Sequence, residues 1–252
     1  ISACLVGSEM CIRDRGRAVE PEQLERCLKD NPQANIVAFV HAETSTGALS
    51  DAKTLCEIAR HHNCLTIVDA VTSLAGVELK VDEWGIDAVY SGSQKCLSCV
   101  PGISPVSFSD HAINKLQQRG IPVQSWFLDQ SLVMGYWSGD GKRAYHHTAP
   151  VNSLYALHES LVMLHQEGLE NSWQRHQKQH QLLATGLAEL GIEFIVPDNE
   201  RLPQLNTVKI PDGVDDAKVR NYLLNEYNLE IGAGLGQFAG NAWRIGLMGY
   251  AA

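Results

Sequence analysis

The chain has 252 residues, 44% of them hydrophobic and 19% charged, enough for one large domain or two modest ones. Its formal charge of −9 argues against a nucleic-acid partner or an anionic membrane surface, and no apolar run approaches the ~20 residues of a membrane span. Seven cysteines without framework spacing read as reduced thiols, so a cytoplasmic setting is expected.

The first fifteen residues read as foreign. They lack an initiating Met and the basic and long apolar regions of a signal peptide. Leu5 to Arg15, LVGSEMCIRDR, resembles the translation of a sequencing-library adaptor, and native sequence is expected from about Gly16.

ANIVAFVHAE (34–43) is a nearly continuous apolar run, as expected of a strand buried on both faces. LSDAKTLCEIARHHN follows with Leu49, Ala52, Leu55, Cys56 and Ala59 at helical spacing, and Ser50 is the expected N-cap. CLTIVDAV (64–71), IDAVYSGS (86–93) and ISPVSFSD (103–110) read as further strands, with VDEWG a short helix or turn between the first two. Ser109 or Asp110 is placed to cap HAINKLQQRG. This order predicts an α/β layer with a mostly parallel sheet. From Asn152 to Leu190 the pattern is helical, broken near Gly168. Beyond it lie IEFIVPD, NTVKIPDG, a helical DDAKVRNYLLNEYN, LEIGAGLG and NAWRIGLMG, a smaller α+β unit. The expected division is 16–167 and 168–252.

Asp69 stands near the end of its strand, and Lys95 lies twenty-six residues later, past the end of the next. In open α/β sheets ligands bind at that carboxyl edge. Asp69 is equally readable as a cap or turn residue, and Lys95 as a surface charge. Ser91, Gly92 and Ser93 are small, and their hydroxyls and amides suit a phosphate. An aspartate and a lysine so placed fit pyridoxal phosphate: the lysine takes the aldehyde and the carboxylate keeps the pyridine nitrogen protonated. Cys96-x-x-Cys99 has no second ligand pair and is followed by Pro101 and Gly102, so both cysteines read as packing residues.

HAETSTG (41–47), IVDAVTSLAG (67–76), YSGSQK (90–95), YHHTAPVNSLYAL (145–157), GLENSW (168–173) and WRIGLMG (243–249) stand in the same order as in the alanine–glyoxylate / serine–pyruvate aminotransferases. The chain resembles this class V branch of the fold-type I pyridoxal-phosphate enzymes from about Pro32 to Gly249. The resemblance implies a large domain with a mostly parallel sheet, a smaller C-terminal domain, and a homodimer with shared active sites. It makes Lys95 the lysine that carries the cofactor and moves the substrate's α-proton. Asp69 pairs with the pyridine nitrogen, Val71 packs on the ring and Thr44 bonds near its hydroxyl. Gln94 binds the phosphate, and Tyr145 and Thr148 reach the phosphate of the neighbouring subunit. Arg244 grips the substrate carboxylate, a task that suits a guanidinium fork. On the residues alone, Thr44 also reads as a turn hydroxyl, Tyr145 as an interface aromatic and Arg244 as half of a structural ion pair.

The implied reaction is transamination between alanine or serine and glyoxylate or pyruvate, with no metal. Desulfurases and group II decarboxylases of this fold carry histidine where Gln94 precedes Lys95, and no cysteine follows Cys99. Both of those readings therefore weaken, and a desulfurase-like lyase stands last among the alternatives. Relatives also carry about a hundred further residues upstream, the size of a domain's missing half, so a non-catalytic fragment is the second reading.

Overall fold

The computed structural model of the chain describes residues 15–137 and 144–250. The segment expected to be foreign therefore lies outside the described residues except for Arg15. The first layer is a four-stranded sheet of β1 (Ile36–Val40), β2 (Leu65–Asp69), β3 (Ala88–Tyr90) and β4 (Val106–Phe108), in that spatial order. β1, β2 and β3 run parallel, with Val40 opposite Asp69 and Asp69 opposite Tyr90. β4 returns antiparallel to β3 through the 91–105 loop, which contains no helix to carry a parallel crossover.

Helices α1 (Pro21–Asp30) and α2 (Ala52–His61) cover one sheet face. Leu24, Leu28, Leu55 and Ala59 bury their apolar stripes against Val37, Phe39 and Val68. Each such side chain contributes about 2 kcal/mol on burial. The run 34–43 was expected to be buried on both faces, but the opposite face is half-open, with Ile36 47% exposed. The cap of α2 is Asp51 and not Ser50: its carboxylate accepts from Thr54 N at 3.1 Å and Thr54 Oγ1 at 2.6 Å. Ser50 Oγ instead accepts from Val19 N at 3.1 Å, tying the N-terminal segment to the sheet. The expected cap Ser109 holds α3 (Asp110–Gln117), accepting from Ala112 N. The segment 81–85 is turn.

After α4 (Gln130–Trp137) come α5 (Val151–Glu167) and α6 (Leu169–Glu189). They are separated by Gly168 alone, whose φ of +88° suits glycine. The second sheet is antiparallel, in the order β5 (Leu205–Lys209), β7 (Ala242–Gly246), β6 (Gly232–Ala233). It packs Val208, Ile231 and Trp243 against Leu183 and Leu187 of α6 and Val219 and Leu223 of α7 (Asp216–Tyr227). Of the apolar segment 192–198, only Phe194 pairs, as a single bridge to Val208. The two layers meet at the turn after β1. Leu202 N donates to Gly47 O at 2.8 Å, and a Cβ on Gly47 would stand 2.1 Å from Leu205 O. Only glycine fits there, at φ +83°.

Candidate active site

Three loops leave the carboxyl ends of β1, β2 and β3 side by side. The first, 41–47, is folded by Glu43. Its carboxylate accepts from Ser45 N and Ser45 Oγ, each at 2.8 Å, and from Thr46 Oγ1 at 2.5 Å. This turn presents Thr44, whose hydroxyl oxygen accepts from Thr72 Oγ1, 3.4 Å away on the second loop. Below the turn His41 is 3% exposed, and burial lowers its pKa to about 4 against a smaller opposing pull from Asp51.

The second loop begins at Asp69. Oδ1 accepts from Val71 N at 2.9 Å, the i to i+2 bond of an Asx turn, and Oδ2 accepts from Tyr90 Oη at 2.8 Å. The turn reading of Asp69 is borne out, and the turn bond together with the phenol fixes the carboxylate at the carboxyl end of β2.

Lys95 lies on the third loop. Its neighbour Cys96 is buried and donates to Thr72 O at 3.7 Å, which packs the Lys95 turn against the loop after Asp69. The loop is closed by Ser98 N donating to Lys95 O at 2.9 Å, with Ser98 in the left-handed region at φ +61°. A serine held there costs about 1–2 kcal/mol, offset by Ser98 Oγ accepting from Tyr250 N at 2.7 Å. The Lys95 side chain is half-buried and has no hydrogen-bond or ion-pair partner among the described residues. Burial pushes the Cys96 thiol up to about 11, so it stays protonated, as a packing residue should.

The serines beside Lys95 differ from expectation. Ser91 Oγ donates to Ala70 O at 2.9 Å and Ser93 Oγ to Val100 O at 2.6 Å, while their amides bond Pro105 O and Ile103 O. These donors hold the loop and are not free for a phosphate. Gln94 is exposed, and its Oε1 lies 2.7 Å from where a Cβ on Gly92 would be, so the glycine lets the amide fold back over the loop.

Arg244 reaches the same edge from β7. Its Nε donates to Ala233 O at 2.9 Å and its Nη1 to Thr44 O at 3.3 Å. The ion-pair alternative fails among the described residues: no carboxylate pairs with this half-buried guanidinium. Tyr145 and Thr148 stand apart. They hydrogen-bond each other, both exposed, and no bond among the described residues joins them to the loops around Lys95. The adjacent His146 is buried, stacked on Trp126 at 3.9 Å and bonded through Nε2 to Trp126 O.

Sequence reasoning missed Tyr90, Thr72 and Glu43. Each sits inside a quoted motif, but its role depends on a partner in another loop. Only the strand register, which puts Tyr90 opposite Asp69, could have flagged one of them.

A lysine amine without a partner, an anchored aspartate on the neighbouring strand end and an arginine without a carboxylate make a donor set that fits pyridoxal phosphate, and the fold is that of the fold-type I pyridoxal-phosphate enzymes. The chain belongs to the class V aminotransferase family, which it matches over residues 10–240. It is 40% identical over 240 residues to the alanine–glyoxylate aminotransferase of Felis catus, covering 94% of this chain and 58% of that protein. It is 38% identical to the (S)-ureidoglycine–glyoxylate transaminase of Bacillus subtilis, covering 93% and 60%. The crystal structure of the alanine–glyoxylate aminotransferase of Nostoc sp. superposes with a TM-score of 0.87 at 48% identity, covering 93% and 62%. The chain thus spans about three fifths of the relatives it matches. Among the described residues no helix is long and apolar enough to cross a membrane.

Proposed function

We propose that this chain is the larger part of an aminotransferase that moves an amino group between alanine or serine and a 2-oxo acid, glyoxylate or pyruvate. The observation that carries the reading is Arg244: a half-buried guanidinium that bonds two carbonyls, pairs with no described carboxylate and touches the turn that presents Thr44. Leaving such a charge unpaired is costly, and a substrate carboxylate satisfies it. Its remaining N–H donors form the fork such a group needs.

When bound, pyridoxal phosphate supplies an electron sink for the carbon that loses its proton. Lys95 would hold the cofactor by its aldehyde, and its amine would move the substrate's α-proton. Asp69 would pair with the pyridine nitrogen. Val71 would pack on the ring, Thr44 would bond near the ring hydroxyl and Gln94 would hold the phosphate. Tyr145 and Thr148 complete the phosphate site of a second copy in a homodimer. The exposed Trp126, Phe127, Leu128, Trp137 and Tyr155 support that assembly, since so much bare aromatic surface is unusual on a monomer. The domains divide at Gly168. The thiols of Cys56, Cys64, Cys96 and Cys99 form no disulfide, which supports a reducing, cytoplasmic setting.

The test is a visible spectrum with added pyridoxal phosphate, then borohydride reduction and peptide mapping, on this chain and on the chain joined to its upstream sequence. A pyridoxyl group on Lys95, with alanine and serine serving as donors to glyoxylate, is expected in the longer polypeptide at least. Label in the longer polypeptide alone makes this chain a non-catalytic fragment. No label in either form sinks the aminotransferase reading.

A further inference from the structure

Tyr90 has none of the roles above, yet its phenol takes one whole side of the Asp69 carboxylate. We infer that Tyr90 is a positioning residue that fixes the Asp69 carboxylate against the cofactor's ring nitrogen; this rests on the reading that Asp69 faces that nitrogen. Asp69 and Tyr90 are register partners on adjacent parallel strands, so their side chains leave the same face of the sheet. The strand ends that bear them are pinned together twice, by Ala70 N donating to Tyr90 O and by Ser91 Oγ donating to Ala70 O, each at 2.9 Å.

The carboxylate then has two anchors of different origin. Val71 N holds Oδ1 at 2.9 Å, and Tyr90 Oη holds Oδ2 at 2.8 Å. One anchor leaves a carboxylate free to swing about its own Cβ–Cγ bond, whereas two set its plane. Each oxygen still has a lone pair for the ring N–H. The phenol keeps its proton throughout the working range, since burial first, and Asp69 second, push its pKa up to about 12. It can only donate to Asp69, and it takes no proton from substrate.

The test compares pyridoxal phosphate with its 1-deaza analogue, which has carbon where the ring nitrogen stands. Binding of both is measured on the complete enzyme stripped of cofactor, in wild type, Tyr90→Phe, Asp69→Asn and the double variant, with near-ultraviolet circular dichroism as a check on packing. Wild type is expected to prefer the natural cofactor. Tyr90→Phe is expected to weaken it about tenfold, the scale of one hydrogen bond to a charged group, and to leave the analogue unchanged. In the Asp69→Asn background the same change is expected to add nothing. Equal weakening of both ligands, or an intact preference in Tyr90→Phe, overturns the role of Tyr90 and leaves that of Asp69 standing. A wild type that binds both alike removes the Asp69 reading and this inference with it, while the Lys95 label still tests the proposed function on its own.

Discussion

The loops around Asp69 and the segment around Tyr145 are built by opposite means. Asp69, Thr44 and Arg244 are each tied to another loop: carboxylate to phenol, hydroxyl to hydroxyl, guanidinium to carbonyl. Tyr145 itself bonds locally, to Thr148 and, through ring contact, to Tyr136, and is 71% exposed. Preorganised donors act where their own chain holds them rigid, while groups left exposed on an aromatic surface await a partner surface. On the proposed function, the contrast corresponds to a half of the site that one chain completes and a half that a second chain would receive.

The largest expected effect tests that division directly. In the complete enzyme, Lys95→Ala loses about 10⁴-fold in turnover, the upper range for a group that moves the proton in the transition state. Tyr145→Ala with Thr148→Ala is inactive through weak cofactor retention. Neither variant works alone, but unfolding and refolding them together is expected to restore about a quarter of wild-type activity, because half the dimers are hybrids with one intact site of two. No recovery on mixing, with dimers shown by light scattering, places Tyr145 and Thr148 in their own chain's site and breaks the comparison.

Acid bears on the tied half. His41 N donates to Asp69 O and His41 O accepts from Ser50 N, so the buried imidazole sits beneath the loops it joins. Burial holds its pKa at about 4, below the ordinary 6.5, so between those values the unfolded chain binds the extra proton. Stability from this group is complete above about 6.5, falls as pH drops and stops changing below about 4, a loss on the order of 3 kcal/mol. His176, also lowered by burial, adds in the same direction. Urea unfolding across the window is expected to show this slope, and His41→Gln to flatten it. A slope unchanged in His41→Gln assigns it to other groups.

A smaller change separates substrate from cofactor within the same half. Arg244→Lys keeps the charge but loses the fork and the bonds to Ala233 and Thr44. About 2 kcal/mol of carboxylate binding is expected to go, a fall of tens of fold in kcat/KM carried by KM for alanine, with cofactor affinity held. A loss carried by kcat alone removes Arg244 from the carboxylate site.

Sequence carried the tied half further than the exposed one, for a physical reason. Asp69 and Lys95 end or follow strands, and strand ends are visible as the limits of apolar runs. What ties these residues together was not visible, because Tyr90 to Asp69, Thr72 to Thr44 and Glu43 to Thr46 are matters of register and turn geometry. Ser91 and Ser93 misled for the same cause: beside an open lysine a small hydroxyl suits an anion, yet backbone carbonyls claimed both. Arg244 was legible as a charge inside an apolar strand, but the lack of a carboxylate partner was visible only in three dimensions. The half-open sheet face likewise defeats periodicity, since a continuous apolar run reports what a strand prefers and not what covers it.

The smallest effect concerns the helix that closes the tied half from below. Two adjacent residues, Ser50 and Asp51, are both good N-caps, and a rank order of propensities does not separate them. Geometry does. Asp51 takes both donors of Thr54, whereas Ser50 turns its hydroxyl to Val19 and its amide to His41 O. Asp51→Ala is therefore expected to destabilise the chain by about 1 kcal/mol through lost capping and lost charge at the positive end of α2. Ser50→Ala costs a comparable amount by a different route, leaving Val19 N without its acceptor. Hydrogen exchange tells the two apart: Asp51→Ala speeds exchange in the first turn of α2, and Ser50→Ala speeds it near Val19 with α2 intact. If instead Ser50→Ala frays α2, the serine is the cap in solution, and the loops above it rest on a different anchor.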